Sequence, residues 1–350
     1  MKSRNFESSV FLAVLLSFNA TAATLYVDLN SGNPTPPYTN CSIAATNIQD
    51  AIDAATNGDL VLVTNGIYAT GGRPVNGYAL TNRVVIDKAL TVQSVNGPTG
   101  TVIQGYQKLG TALGGGSNAV RCAYLTNGAA LVGFTLAKGA TFDSGDALNE
   151  QSGGGVWCEP GGAVRKSALR GNSANADGGG ACGGTLYNCE LTDNSAAYGG
   201  GVYGGQLFNC TVVNNRATSR SLGAGTAVCT NYNCIVEFNN YTFLANYSQS
   251  LFYWSCTTPM PAGGLGNLTN SPNFVDLPGG ILRLQCGSPC IDAGTNLSAL
   301  LTDDLRGESR PVDGDGDGLA QFDMGAYERN PVDDARDIGI RTGFTNFALY

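Results

Sequence analysis

The chain has 350 residues, of which 49 are glycine and only 13% are charged, with a formal net charge of −8 at pH 7. An acidic chain of this kind is a poor candidate for binding nucleic acid or another polyanion through bulk charge. Glycine is about twice as frequent as usual without a collagen-like triplet, and an apolar content of 43% argues against disorder.

The N-terminal segment predicts export. Lys2 and Arg4 precede a short apolar stretch at residues 10–18, and small residues at 20–22 form a cleavage site. This order is typical of a secretory signal peptide over residues 1–22, and the apolar stretch is too short to favour a membrane span. The alternative is a buried N-terminal helix. We expect an exported protein, extracellular or at the cell surface, whose mature chain has no membrane span.

Residues 46–59 predict a short amphipathic helix. Thr46 and Gln49 fit a capping box at its start, and Asn57-Gly58 would end it. One face of this helix is apolar, and the residues on it are Ile48, Ala51, Ile52 and Ala55. Such a helix would cover the open end of a stack of strands, as the terminal units of repeat proteins do.

The centre of the chain repeats itself. The segments GGGACGGTLYNCELTDNSAAY (178–198) and GGGVYGGQLFNCTVVNNRATS (199–219) are identical at ten positions. A period of about 21–25 residues indicates a solenoid, and apolar residues at every second position of NCEL, NCTV and NCIV indicate short strands. Stacked strand-and-turn units of this kind form a parallel β-helix, with successive coils about 4.8 Å apart.

Asparagine and cysteine recur at fixed places in the repeat. Asn172, Asn194 and Asn215 are expected to form a ladder in which each side-chain amide bonds the neighbouring coil. Cys189 and Cys210 fall on adjacent coils, so the pattern is compatible with free, stacked thiols or with a disulfide. Side chains at the same position of adjacent parallel coils point in the same direction rather than toward each other. This geometry favours free thiols that fill the core as small apolar side chains.

Three segments together resemble a known superfamily. They are IQDAIDAATNGDLVLVTNGIY, the GGGV…NC…N coils and the ending SPCIDAG…RP…GAYE. Over residues 24–328 the chain is similar to exported bacterial proteins of the pectin-lyase-like superfamily, and it resembles the repeats of polymorphic outer-membrane proteins more weakly. The resemblance implies an all-β, right-handed parallel β-helix with a short N-terminal capping helix. It implies little about function, because lyases, hydrolases, adhesins and tailspikes share this fold.

The acidic C-terminal part contains the motif DGDGDGLAQFD. Asp313, Asp315 and Asp317 match the first half of a calcium-binding loop. The second half departs from that pattern, because Met324 stands at the twelfth position and Asp323 comes one residue early. Two interpretations stay open: a structural Ca²⁺ held by these four aspartates, and an acidic surface turn without a metal.

The chain contains no histidine, which excludes His-dependent nucleophiles, histidine general bases and zinc sites with His ligands. The resemblance implies that a lyase of this superfamily would place calcium-binding acids and an arginine or lysine base on one outer sheet. Arg170, Glu190 and Asp193 are the candidates, since they fall on neighbouring coils. The alternative is a cross-coil salt bridge on a solvated face, contributing about 0–1 kcal/mol.

Aromatic residues recur in two tracks of the repeat. Tyr187, Phe208 and Tyr232 share one position, and Trp157 and Tyr203 share another. Exposed rings would form a sugar-binding surface, whereas buried rings would fill the corners of the coils, and we expect core packing for the first track. Trp157, beside the inserted residues CEP, is the candidate for glycan binding in a groove.

The sequence therefore predicts a signal peptide at 1–22, a helix-capped β-helix at 23–269, a closing module with an acidic loop at 270–329 and a tail at 330–350. We expect a secreted or cell-surface protein that presents a rigid face to a polysaccharide or another surface component, without a demonstrable catalytic site. The alternative is a calcium-assisted polysaccharide lyase of the pectin-lyase-like type.

Overall fold

The computed structural model describes residues 22–75, 77–108, 113, 115–218, 223–240 and 246–331. All but the last residue of the predicted signal peptide and most of the tail lie outside the described residues. Three long sheets run along the molecule. The first sheet contains the strands Thr24–Val27, Leu60–Val63, Thr91–Ser94, Ala130–Val132, Ala163–Arg165, Thr185–Tyr187, Gln206–Phe208, Thr230–Tyr232 and Leu251–Tyr253. The second contains Gly66–Tyr68, Thr101–Gln104, Thr135–Ala137, Ala168–Arg170, Glu190–Thr192, Thr211–Val213, Ile235–Glu237 and Cys256–Thr257. The third contains Arg73–Pro74, Thr81–Ile86, Val120–Leu125, Val156–Cys158, Ala181–Cys182, Val202–Tyr203, Thr226–Ala227 and Tyr247–Ser248. Two small sheets complete the set, formed by Ser195–Ala196 with Arg216–Ala217 and by Phe274–Asp276 with Ile281–Leu284.

Strands from successive coils pair in parallel and in register. In the first sheet, Val164 pairs with Leu186 and Leu186 pairs with Leu207, and all three side chains are buried. Repetition of this pattern builds one continuous apolar core between the three sheets. The molecule is a right-handed parallel β-helix, as predicted, and its sheets bury alternate residues because side chains of a strand point to opposite faces.

A short helix, Ile48–Ala54, covers the N-terminal end of the coils. Its predicted apolar face is confirmed, since Ile48, Ala51 and Ile52 are buried and belong to the main core. The predicted capping box is wrong: Asn47, one residue later than Thr46, is the N-cap and its side chain accepts a hydrogen bond from the backbone of Asp50. Among the described residues, no helix has the length and apolar character needed to cross a bilayer.

The asparagine ladder forms as predicted. The amide Nδ2 of Asn172 donates to Oδ1 of Asn194 at 3.0 Å, and that of Asn194 donates to Oδ1 of Asn215 at 2.9 Å. The backbone N–H groups of Asn172 and Asn194 donate to the same oxygens, both at 3.0 Å. The ladder continues through Asn239 to Asn246. Each side chain thus satisfies backbone and side-chain groups that the turn buries.

The cysteines of the repeat are free and lie in the core. Cys189 and Cys210 are fully buried, and each thiol contacts a backbone carbonyl on the coil below it, Val164 and Leu186 respectively. Burial raises the pKa of both thiols well above the usual value. They behave as small apolar fillers, in agreement with the favoured interpretation.

The first aromatic track lies on the outside of the coils, contrary to the prediction of core packing. In the strand Thr185–Tyr187 the buried residue is Leu186, and Tyr187 is half-buried on the outer face. Tyr187, Phe208, Tyr232 and Tyr253 stack with ring centroids 4.9–5.2 Å apart. Each ring covers the face of the next, so the stack presents mainly ring edges to solvent.

The closing module packs over the outer face of the second sheet. Val213, Ile235 and Cys256 form a second apolar cluster with residues from the module, including Phe274 and Met324. Glu190 and Thr211 on the outer face of these coils are therefore buried under the module, whereas the side chain of Arg170 stays half exposed.

Turn asparagines between the first and second sheets hold the module in place. Nδ2 of Asn188 donates to the carbonyl of Asp303 at 2.7 Å, and Nδ2 of Asn209 donates to that of Asp323 at 2.8 Å. Both asparagines have φ near +50°, a region that asparagine tolerates better than most residues. The repeat thus provides both the turn and the contact that fixes the module.

Candidate functional site

A groove of about 600 Å³ runs along the turns that join the third sheet to the first. Trp157, Cys182 and Tyr203 line one side, from successive strands of the third sheet. Thr185, Gln206 and Thr230 line the other side, from the first positions of first-sheet strands. We call this feature the aromatic groove.

Trp157 lies in this groove, as the sequence predicted. Its ring stacks on Tyr124 of the preceding coil, with centroids 5.3 Å apart and planes within 1° of parallel. Its indole N–H donates to the carbonyl of Leu148 at 3.0 Å. Tyr124 thus covers one face of the indole ring, and the hydrogen bond to Leu148 holds its edge. The opposite face is directed toward the next coil, where Trp157 pairs with Cys182. A role in glycan binding stays a prediction.

The inserted residues CEP hold the aromatic pair in position. Glu159 accepts hydrogen bonds from the hydroxyl groups of Tyr124 at 2.5 Å and Thr126 at 2.8 Å, and from the backbone of Asn127 at 3.1 Å. The hydrogen bond from Tyr124 is the main cause that holds the pKa of Glu159 below its usual range. The insertion therefore provides a fixed carboxylate that orients Tyr124, and through it Trp157.

Glycines form the floor of the groove. Gly183 and Gly184 both have φ near +73°, which favours glycine. A Cβ atom at Gly184 would lie 2.5 Å from Cβ of Cys158. At this coil the glycine pair is therefore required for the turn and for the close approach to Cys158.

The residues described as lining the aromatic groove carry no acidic or basic side chain. Cys182 is 4% exposed as a residue, and burial raises the pKa of its thiol to about 12. The described surface of the groove combines aromatic rings with hydroxyl and amide groups, which suits binding of a polar but uncharged molecule better than acid–base chemistry.

The predicted catalytic candidates lie elsewhere. Arg170 forms a salt bridge with Glu190 at 2.5 Å, and the hydroxyl of Tyr327 donates to the other carboxylate oxygen at 2.5 Å. The side chain of Glu190 is only 1% exposed because the closing module covers it. Asp193 is exposed in the turn after this strand. Arg170 also lines a smaller cleft of about 260 Å³, together with Arg306 and Tyr327.

The acidic loop brings together a different set of aspartates from the predicted one. Oxygens of Asp292, Asp313 and Asp315 lie within 4.8 Å of one another, and among the described residues this is the only such group of three or more possible metal ligands. Asp317 instead accepts a hydrogen bond from the backbone of Leu319. Asp323 is fully buried and accepts from the backbones of Asp292 and Arg329.

Sequence reasoning missed three contributors. Tyr124 supports Trp157, and its position could have been found by extending the repeat register one coil upstream. Asp292 joins the acidic loop from a preceding turn, and Tyr327 closes over Glu190 from 137 residues away. No local pattern marks either of these last two contacts.

No protein-family model and no curated protein matches the chain. Among solved structures, it is similar to pectin methylesterase PemA from Erwinia chrysanthemi, at 13% identity over 68% of this chain and 80% of that one, with a TM-score of 0.38. It is also similar to a pectin methylesterase from carrot, at 12% identity over 71% of this chain and 65% of that one, with a TM-score of 0.37. Pectate lyase Pel9A is 13% identical over 89% of this chain and 97% of its own, with a TM-score of 0.40. Likenesses at this identity and overlap carry no conclusion about activity for this chain; the β-helix is assigned here from its own strand pairing.

Proposed function

We propose that this chain is an exported, non-catalytic protein that binds neutral polysaccharide in the aromatic groove. The observation that carries the proposal is a pair of aromatic residues, Trp157 and Tyr203, in an elongated groove whose described lining is uncharged. Apolar faces of sugar rings pack well on aromatic faces, and their hydroxyl groups need polar partners.

Polar partners for sugar hydroxyl groups lie along the same groove. Thr185, Gln206 and Thr230 are paired residues on successive first-sheet strands, so they form a row that repeats with the coils. Both donor and acceptor groups are present in this row. An extended, repeating ligand such as a polysaccharide would meet similar groups at each step along the helix.

The chain's rigidity supports the same role. The groove is built on strands that pair across the whole stack, and its aromatic side chain at Trp157 is held by Tyr124 before any ligand arrives. A preformed site avoids the entropy cost of ordering side chains on binding. The signal peptide predicted from the sequence of residues 1–22 supports an extracellular or cell-surface location for such binding.

A calcium-assisted lyase is the alternative, with Arg170 as the base. Against it, both oxygens of Glu190 are engaged, one by Arg170 and one by Tyr327, beneath the closing module. The cleft that Arg170 lines has no acidic side chain among its described lining residues. We propose that any Ca²⁺ binds instead at Asp292, Asp313 and Asp315 and is structural.

The test is affinity electrophoresis of the mature protein in gels containing a β-glucan, a galactomannan or a polygalacturonate, with parallel assays for unsaturated ends. We expect retardation by at least one neutral polymer, and no new ends with calcium or with a chelator. Trp157→Ala should weaken the affinity by at least tenfold, whereas Tyr106→Ala, which removes an exposed ring outside the groove, should not. Calcium-dependent release of unsaturated ends would overturn the proposal in favour of the lyase.

A further inference from the structure

The third sheet carries an interrupted stack of rings on its outer face. In register along this track stand Tyr124, Trp157, Cys182, Tyr203 and Ala227. Tyr124 and Trp157 stack directly on each other, and at the next coil the track has a thiol where a third ring would continue the stack. The interruption lies inside the aromatic groove.

The missing ring leaves a gap of defined width. Trp157 and Tyr203 are two coil steps apart, which corresponds to about 10 Å. An inserted group would contact each ring at a distance of about 3.5–4.0 Å. Once both contact distances are taken from the spacing of about 10 Å, about 2 Å remains for the thickness of the inserted group itself. A flat side-chain ring fits this space, as the continuous stack on the first sheet shows, and a puckered pyranose, which is somewhat thicker, fills it more closely.

The floor and rim of the gap fit the same occupant. Cys182 is small and nearly buried, and the glycines that follow it add no side chain to the space. Thr185 and Gln206 lie at the rim on the adjoining strands and provide polar groups for ring hydroxyls. The described lining has no charge to pair with a uronate or an amino sugar.

We propose that the gap at Cys182 is a sandwich subsite that holds one neutral pyranose residue between Trp157 and Tyr203. The proposal rests on the polysaccharide-binding function proposed above and assigns its principal subsite. The same residues account for the selectivity: two rings select an apolar sugar face, and the uncharged lining selects against acidic polymers.

Filling the gap tests the subsite. Cys182→Phe restores the missing ring and should continue the stack, so the protein should keep or raise its thermal unfolding midpoint while its affinity for the neutral polymer falls at least tenfold. Cys182→Ala is the matched control, which removes the thiol, keeps the gap and should bind within about threefold of wild type. Affinities are measured against the β-glucan and galactomannan used above.

A second variant keeps the test decisive if Cys182→Phe fails to fold. Tyr203→Ala removes one wall of the subsite without adding volume, and should also reduce affinity at least tenfold. If the wild type binds and Trp157→Ala does not, but Cys182→Phe or Tyr203→Ala binds normally, the subsite is wrong while the binding function stands. If the wild type binds no neutral polymer, the binding function itself is wrong, and the subsite with it.

Discussion

Substitution of Asn194 by alanine should strongly destabilise the β-helix. The side chain of Asn194 is fully buried; its Oδ1 accepts from the backbone N–H and from Nδ2 of Asn172, and its Nδ2 donates to the carbonyl of Leu169 and to Oδ1 of Asn215. Alanine removes all four hydrogen bonds and leaves a void. The backbone N–H of Asn172 loses this acceptor inside the protein, which alone costs about 1–3 kcal/mol.

With the remaining lost hydrogen bonds, the expected destabilisation is about 3 kcal/mol. The measurement is equilibrium unfolding in urea, followed by circular dichroism, with Asn270→Ala as the control because Asn270 is exposed. The control should lie within about 0.5 kcal/mol of wild type. A destabilisation below about 1 kcal/mol for Asn194→Ala would refute the argument that the ladder satisfies backbone groups buried by the turns.

Three further predictions concern the closing module. Tyr327→Phe removes the hydroxyl that bonds the buried carboxylate of Glu190, so limited proteolysis should release the module more readily than in wild type. Burial raises the pKa of Glu328 from 4.5 to about 7, so the native protein retains a proton that the unfolded chain has lost. The thermal unfolding midpoint should therefore fall as the pH rises from 5 to 7.5. Because burial also raises the pKa of the neighbouring Asp323, Glu328→Gln should reduce this slope without abolishing it. A midpoint that rises over this pH range would contradict the raised pKa of Glu328. If the acidic loop holds structural calcium, a chelator should lower the midpoint, and Asp313→Asn should remove that sensitivity; equal midpoints with calcium and with chelator would exclude the role.

The repeat itself could be predicted because its determinants are local. Turn glycines such as Gly184 and ladder residues such as Asn194 recur at a fixed spacing, and each has one structural role in every coil. The N-terminal helix could be predicted for the same reason, although its cap lies at Asn47 rather than Thr46. A capping assignment depends on a shift of one residue, which hydrophobic periodicity does not determine.

The orientation of the first aromatic track could not be predicted from its sequence. In the strand Thr185–Tyr187, alternation separates Leu186 from Tyr187 but does not say which side faces the core. Both side chains are large and apolar enough to be buried. Leu186 is inside because it continues the row of Val164 and Leu207, which is visible only once the coils are stacked.

Contacts distant in sequence explain the remaining errors. Glu190 looks like an outward-facing acid in its strand, and it is buried because Tyr327 and its neighbours fold back over it. The spacing places Asp323 in the metal loop, yet it lies in the module's interior, where its carboxylate accepts a hydrogen bond from the backbone N–H of Arg329. In both cases the deciding partner is set by how the closing module docks, and the local sequence contains no signal for that docking.

The binding claim is tested most directly by the indole N–H signals of the protein's two tryptophans, Trp157 and Trp254. Their nuclear magnetic resonance signals can be followed while a short oligosaccharide of the bound neutral polymer is added. The signal of Trp157 should shift in a saturable way while that of Trp254, which packs against the closing module's apolar cluster, stays in place. Saturable binding that leaves the Trp157 signal unmoved would contradict the account, because the sugar would then be held outside the aromatic groove.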